Sequence, residues 1–489
     1  MLFNSHIFML LFLPLLLAGW YFLNWKKKFQ LAQGYLIGMS LWFYAYANLQ
    51  YLWLLLFSCL IGWLLSCLPE KIFSEKGKKV LTGVGCVFHL GLLGYFKYSN
   101  FFLENLNTVF HTDFPMLQIL LPVGISFYTF QQLAYLIDRC RRDAPRDSFF
   151  DYLTFMVYFP QLLQGPILLR SEFMGQLKEP ERRRFHAERF SEGIQFFVFG
   201  LAKKVLLADT LAKAVNYGYS NVSMLDSISA LLLAVGYLTE LYFDFSGYCD
   251  MAVGLGKMIG LEVAENFDAP FHSASVKEFW RRWHMTLGRF FTRYVYIPLG
   301  GNRKGKMRTL CNVMIVMLLS GLWHGAAWTF VLWGFLHGVG MIWDNLEHPH
   351  LPKKWMRQAA TFAYVCMTFV FFRAESIAQG FDVLKSIVSL KWNGFVFQMA
   401  SALDMTEFYM ITKALSMKLP GLLSWFWLGI FVVLIAICFR VLSGEKVSGV
   451  VALKRQKGYG RLYPVLLAVL FTWSIISMTG VSEYLYFSF

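Results

Sequence analysis

Apolar residues along this chain fall in long unbroken runs rather than at the spacing of an amphipathic helix or strand. Runs long enough to cross a bilayer occupy 7–23, 32–48, 51–68, 80–98, 117–137, 194–215, 227–245, 309–345, 359–375, 422–440 and 462–480. The run 309–345 is too long for one crossing. The pattern predicts an all-α, polytopic membrane protein of about 11–13 transmembrane or re-entrant helices. Basic clusters punctuate the runs: Lys26 to Lys28, then Lys76, Lys78 and Lys79, then Arg139, Arg141, Arg142 and Arg146, then Arg182 to Arg184. Cytoplasmic loops are rich in Lys and Arg, so these clusters lie inside, and the stretch 99–116, which has neither, faces outside. The first run has no basic segment before it and three lysines after it. It therefore reads as a spanning helix with its start outside, not as a cleavable signal peptide.

Composition agrees. Of 489 residues, 57% are hydrophobic and 15% charged, against about 25% charged in a soluble domain. That excludes a soluble globular enzyme and a disordered chain. The net charge of +15 would suggest nucleic acid in a soluble protein, but here it is the cytoplasmic loop bias, and no nucleic-acid partner is expected. The 8 cysteines form no CxxC pair, so neither a disulfide framework nor a metal site is expected.

Two places break simple helix counting. The run 152–168 has basic flanks at both ends (Arg146 and Arg170) and contains Pro160, Gly165 and Pro166. It reads as a re-entrant segment, whose freed backbone groups must be buried in protein or line a wet cavity. Between Arg308 and Asp344 lie 35 residues without Asp, Glu, Lys or Arg. The break falls at Ser320-Gly321-Leu322-Trp323-His324-Gly325-Ala326. If the first half starts at the cytoplasmic face, His324 lies roughly 24 Å along a helix, inside a hydrocarbon core of about 30 Å. Gly321 with Gly325, and Gly334 with Gly338, are small-xxx-small pairs that let backbones approach.

His324 is the leading chemical candidate. An ionisable group at membrane depth needs partners or a water-filled cavity, and a neutral imidazole can take a proton from an alcohol attacking an acyl carbonyl. The alternative is a histidine that merely bonds two helices. The glycine break and the neighbouring Trp323 and Trp328 favour function. His284 is second, in Phe279-Trp280-Arg281-Arg282-Trp283-His284-Met285, a basic and aromatic stretch. Two readings stand equally: an interfacial anchor to lipid, or a cytoplasmic mouth for the phosphates of a thioester donor. His337 sits about 220° around the helix from His324 and reads as structural. Asp244 and Asp250 could orient an imidazole or pair with a buried arginine, pairing being favoured. Lys203 and Lys204 read as snorkelling side chains. The stretch 376–421 mixes apolar and charged residues and reads as an outer cap or a partner surface.

The segments 279–285 and Tyr296-Ile297-Pro298-Leu299-Gly300-Gly301-Asn302, followed by Leu322-Trp323-His324-Gly325, resemble the membrane-bound O-acyltransferase family. The alginate O-acetyltransferase branch is nearest, with the D-alanyl transfer proteins of teichoic acids more distant. Further matches are Leu121 to Gln131, Gln164-Gly165-Pro166-Ile167, Asp244-Phe245-Ser246-Gly247-Tyr248, Asn266-Phe267, Pro270-Phe271 and the terminal Leu485-Tyr486-Phe487-Ser488-Phe489. The resemblance implies one membrane domain over 1–489, a catalytic core over roughly 117–345, and helices around a central tunnel. It implies that His324 and His284 are catalytic, with Trp280, Arg281, Arg282, Trp283, Asn302, Trp323, Asp244 and Gln131 as donor-binding or tunnel residues. No bound cofactor or metal is implied: acetyl-CoA or an acyl-carrier thioester is the donor substrate. The acetyl group goes, through an extracytoplasmic acetyltransferase partner, to a polysaccharide outside the bacterial inner membrane. The motifs do not name the polymer. Two competitors remain, a lipid-linked-sugar flippase and a non-catalytic scaffold of a polysaccharide export complex. The flippase predicts paired repeats, and the segments near 160 and 324 share no sequence.

The topology is testable. In a chain stripped of its 8 cysteines, Asp113→Cys should react with a membrane-impermeant maleimide in intact spheroplasts. Lys78→Cys should react only after lysis. Labelling of Lys78→Cys from outside overturns the orientation.

Overall fold

The computed structural model describes residues 1–47, 49–67, 74–346, 353–442, 447–449, 451–452, 460, 462–478 and 485. The described residues form helices and no strand. In chain order the helices are α1 (Leu13–Trp25), α2 (Phe29–Ala47), α3 (Leu52–Cys67), α4 (Glu75–Leu93), α5 (Ser99–Phe110), α6 (Ile125–Cys140), α7 (Phe149–Val157), α8 (Arg170–Lys178), α9 (Ala187–Ala202), α10 (Asp209–Ser220) and α11 (Ser227–Ile259). They continue with α12 (Val276–Arg282), α13 (Met285–Phe291), α14 (Lys306–His324), α15 (Trp328–Asn345), α16 (Lys354–Arg373), α17 (Ile377–Val388), α18 (Phe395–Ser401), α19 (Tyr409–Lys418), α20 (Pro420–Leu442) and α21 (Leu462–Ile476). Among the described residues, 6 helical stretches are long and apolar enough to cross a membrane. The protein is a polytopic helical membrane protein. Of the terminal 485–489 motif, only Leu485 lies within the described residues.

The chain groups into two compact units built from interleaved segments. The first comprises Met1–Val198, Tyr248–Asn266 and Thr286–Pro298. In it the expected span 117–137 is only half helical. Residues 111–124 are non-helical, and 111–118 are exposed. Pro115 and Pro122 disfavour helix in the residues before them, and Asn100 and Asn107 of α5 bond the backbone of Leu117 and Phe114 instead. Helix α6 begins after Gly124, whose φ of +78° suits glycine. After α7 the helix breaks at Tyr158, and residues 163–169 have no regular structure yet are all buried. Irregular backbone enclosed by protein is what a re-entrant segment requires. Beside it Arg170 grips both oxygens of Asp147, and Arg289 those of Glu172.

The second unit comprises Phe199–Gly247, Phe267–Met285 and Leu299–Phe489. Its centre is the hairpin of α14 and α15. Helix α14 ends at His324, Gly325 is extended with φ of −157°, and α15 starts after Ala327. The long charge-free run therefore splits at the glycine, as expected from its length. The two helices touch backbone to backbone. A Cβ added to Gly334 would lie 2.5 Å from the Met317 carbonyl oxygen, and one on Gly321 would overlap that of Phe330. Both sites admit only glycine because the neighbours are main chain and cannot turn aside. Stretch 376–421 packs inward through Phe395, Val396, Met399 and Ala400 of α18.

This seam generates a prediction. Gly334→Val should lower unfolding free energy in an SDS titration by about 1–3 kcal/mol, the range for forced overpacking. Gly429→Val, where an added Cβ meets nothing within 4 Å, should leave it unchanged. Equal stability of the two variants refutes the close approach.

Candidate active site

Both expected histidines lie in the second unit and share one indole. The segment 276–285 starts as a helix because Ser275 accepts the Glu278 N–H at 3.1 Å, while Glu278 accepts the Ala274 N–H at 2.8 Å. The helix stops at Arg282. Trp283 is extended, and His284 takes a left-handed φ of +47°. That conformation is uncommon outside glycine and clusters at functional positions. His284 is 1% exposed, with its ring 4.7 Å from Phe245 and 6.0 Å from Trp323.

His324, 3% exposed, ends α14 and stands 4.8 Å from Trp323, 5.2 Å from Trp333 and 5.1 Å from Phe372 by ring centroids. All three meet it at steep interplanar angles. The helix end supplies the position, and aromatic rings supply the walls. Both imidazoles are thus buried beside the Trp323 ring, among aromatic side chains, where a polar reaction partner would feel each of them strongly.

The remaining expected residues are distributed as follows. Trp280 donates from Nε1 to Nδ1 of His337 at 3.3 Å, and His337 Nε2 meets Thr368 Oγ1 at 2.9 Å. With an acceptor at Nδ1, the imidazole carries its proton on Nε2. His337 is therefore a satisfied structural histidine, and Trp280 is its support. Arg282 pairs with Glu278 at 2.9 Å and donates to the Asp268 carbonyl, and Arg281 is exposed. Trp283 is buried among Phe267, Phe271, Phe279 and Phe369. Asn302 is exposed on the turn before α14. Gln131 is buried on α6 in the first unit, its Oε1 without a hydrogen-bond partner.

Asp244 does pair, with a lysine rather than an arginine. Lys204 is 2% exposed and does not snorkel. Its Nζ lies 2.6 Å from Asp244 Oδ1 and 2.8 Å from Asp209 Oδ1, and Asp244 Oδ2 accepts the Leu485 N–H at 3.1 Å. The two carboxylates replace the water that the ammonium loses on burial, which removes its reason to reach for the interface. One turn before Asp244, Glu240 is 2% exposed and its Oε2 has no hydrogen-bond partner. Sequence reading passed over Glu240. Its i, i+4 spacing from Asp244 inside an apolar run was the available signal.

The described residues thus make up a polytopic helical protein with His284 and His324 buried among aromatic rings. The profile of the membrane-bound O-acyltransferase family (MBOAT) matches residues 141–381. The chain is 35% identical to the peptidoglycan O-acetyltransferase of Helicobacter pylori over 80% of each chain. It is 39% identical to a probable alginate O-acetylase of Azotobacter vinelandii over 77% of this chain and 76% of that one. A teichoic acid D-alanyltransferase of Streptococcus thermophilus is 29% identical over 49% of this chain and 58% of that one. The chain belongs to the membrane-bound O-acyltransferase family. It is an O-acyltransferase and an integral, multi-pass membrane protein.

The buried ion pair gives a test. Lys204→Met leaves Asp244 charged in the interior and should cost about 3–5 kcal/mol of stability. Adding Asp244→Asn to Lys204→Met should restore a large part of that loss. A double variant as unstable as the sum of the two singles contradicts the pairing.

Proposed function

We propose that this enzyme moves acetyl groups from a cytoplasmic thioester, acetyl-CoA or an acyl carrier, to a hydroxyl presented from the other side of the bacterial inner membrane. The whole chain acts as one membrane domain, with no bound cofactor. The end product is an O-acetylated extracytoplasmic polysaccharide. The polymers named for the relatives, peptidoglycan and alginate, support that acceptor class. A secreted or periplasmic acetyltransferase partner completes the delivery.

The supporting observation is His324, set at the break between α14 and α15 and walled by Trp323, Trp333 and Phe372. The donor is too large and charged to cross a bilayer, so donor and acceptor must meet inside the protein. In the proposed step the acceptor oxygen attacks the thioester carbonyl carbon while His324 takes the hydroxyl proton. The tetrahedral intermediate collapses, the C–S bond breaks, and the departing sulfur receives the proton from the imidazolium. The products are an acetyl ester and a free thiol, with His324 returned to its neutral form. His284, whose ring lies 6.0 Å from that of Trp323, is assigned to the donor side, where it positions the thioester.

His324→Ala should lower acetyl transfer by about 100- to 10,000-fold, the usual contribution of a general base, with an unchanged melting profile. Thiol release from acetyl-CoA should fall in parallel. A flippase or a scaffold would consume no thioester. Near wild-type transfer by folded His324→Ala protein sinks the assignment.

A further inference from the structure

The first unit holds a cavity of about 510 Å³ at one end of α3, α4 and α6, a volume in the range of small-ligand sites. Ser66 stands in the last turn of α3, Lys78 in the first turn of α4, and Arg139 and Cys140 in the last turn of α6. The pocket therefore lies at the level of three helix ends, which their basic clusters put on the cytoplasmic side. Toward the membrane interior Leu65 and Leu136 close it. A Cβ added to Gly85 of α4 would stand 2.9 Å from Leu136 and 3.3 Å from Leu65, so the three helices meet there.

The charged part of the lining has one sign. Lys78, Arg139 and Arg142 line the cavity with the hydroxyls of Ser66 and Thr82, and among the described residues no carboxylate does. The acids of the same helix end are committed elsewhere: Asp138 and Asp143 hold Arg293, at 2.9 and 3.1 Å. Arg139 is fixed by its bond to the Ala144 carbonyl at 2.7 Å. Arg142 takes the left-handed φ of +63° that ends α6, and the Asp143 N–H returns to the Asp138 carbonyl at 2.9 Å. A cavity lined in this way holds a positive potential, and the ligand that matches it is an anion.

The surroundings decide which anion. Helices α3 and α4 belong to stretches long and apolar enough to cross a membrane. Their outer faces expose Leu60 and Leu64, and Val80, Val84 and Val87. In a bilayer those faces lie against acyl chains, so a pocket at the helix ends opens at headgroup level. The phosphate most abundant at that level belongs to lipid, and basic pockets between transmembrane helices suit such headgroups. A soluble phosphate would reach the same cations without the added contact of apolar chains.

We infer that this pocket binds the headgroup of an anionic glycerophospholipid of the cytoplasmic leaflet. The phosphate meets Lys78, Arg139 and Arg142, the glycerol oxygens meet Ser66 and Thr82, and the chains lie along α3 and α4. A lipid held there ties three helix ends together, and its binding is independent of acyl transfer at His324.

The test uses purified, delipidated full-length protein, with phosphatidylglycerol and phosphatidylcholine of identical chains as probes, binding being read by native mass spectrometry. Phosphatidylglycerol should bind at least about tenfold tighter than phosphatidylcholine. Lys78→Gln combined with Arg142→Gln should weaken phosphatidylglycerol about 30-fold, each cation being worth about fivefold, and leave phosphatidylcholine unchanged. Lys78→Arg combined with Arg142→Lys keeps the charge and should keep most of the affinity, which separates loss of charge from loss of fold. Lys26→Gln combined with Lys28→Gln removes the same charge from exposed positions and should change nothing. Equal affinity for the two lipids overturns the site. So does an equal loss in the Lys26 and Lys28 pair or in the charge-preserving pair, and so does full displacement of phosphatidylglycerol by millimolar glycerol 3-phosphate or coenzyme A.

Discussion

The constraint on which the histidine site depends is the contact between two glycines. Gly321 and Gly334 let α14 and α15 meet main chain to main chain, each lying against a carbonyl oxygen of the opposite helix. Because the helices are that close, the turn between them is reduced to Gly325–Ala327, and the last residue of α14 cannot move away from α15. His324 is that residue. Its surroundings follow from the same geometry: Trp323 precedes it, Trp333 comes from the facing helix, and Phe372 from the end of α16. A larger residue at either glycine would shift the imidazole as well as the helices.

Around this hairpin the unit separates polar work into distinct places. His337 is fully occupied by Trp280 and Thr368, so its conservative role is to tie α12, α15 and α16 together. The Lys204–Asp244–Asp209 cluster carries charge through an apolar interior, which is tolerable only because the charges are matched at 2.6 and 2.8 Å. His284 is held by a left-handed backbone beside Trp323. The two histidines thus approach one indole from different elements, one a helix end and one a kink.

Features set by neighbours in sequence were legible, and features set by distant partners were not. The break after His324 followed from a charge-free run too long for one crossing, with glycine inside it. The buried irregular stretch at 163–169 followed from Pro160, Gly165 and Pro166 between basic flanks. The helical angle that set His337 apart from His324 does not survive the break at Gly325; its bonds to Trp280 and Thr368 are what make it structural. In contrast, Lys204 looked like a snorkelling lysine because its partners Asp209 and Asp244 come 5 and 40 residues later. The true start of α6 was hidden by apolar residues whose two prolines outweigh their hydropathy. The basic character of Arg281 and Arg282 left a lipid anchor and a cytoplasmic mouth equally open; Arg281 is exposed and Arg282 pairs with Glu278 on its own helix. The family resemblance supplied the chemistry that neither pattern nor spacing could name.

The central claim is that a donor acyl group reaches His324 through the protein. The most direct measurement is photo-crosslinking with a coenzyme A thioether whose acyl end carries a diazirine, added to the cytoplasmic face of the reconstituted enzyme. Mass spectrometry should find the adduct in the peptide that contains Trp323 and His324, and excess acetyl-CoA should abolish it. Adducts confined to surface or lipid-facing peptides, or insensitive to acetyl-CoA, would contradict the account.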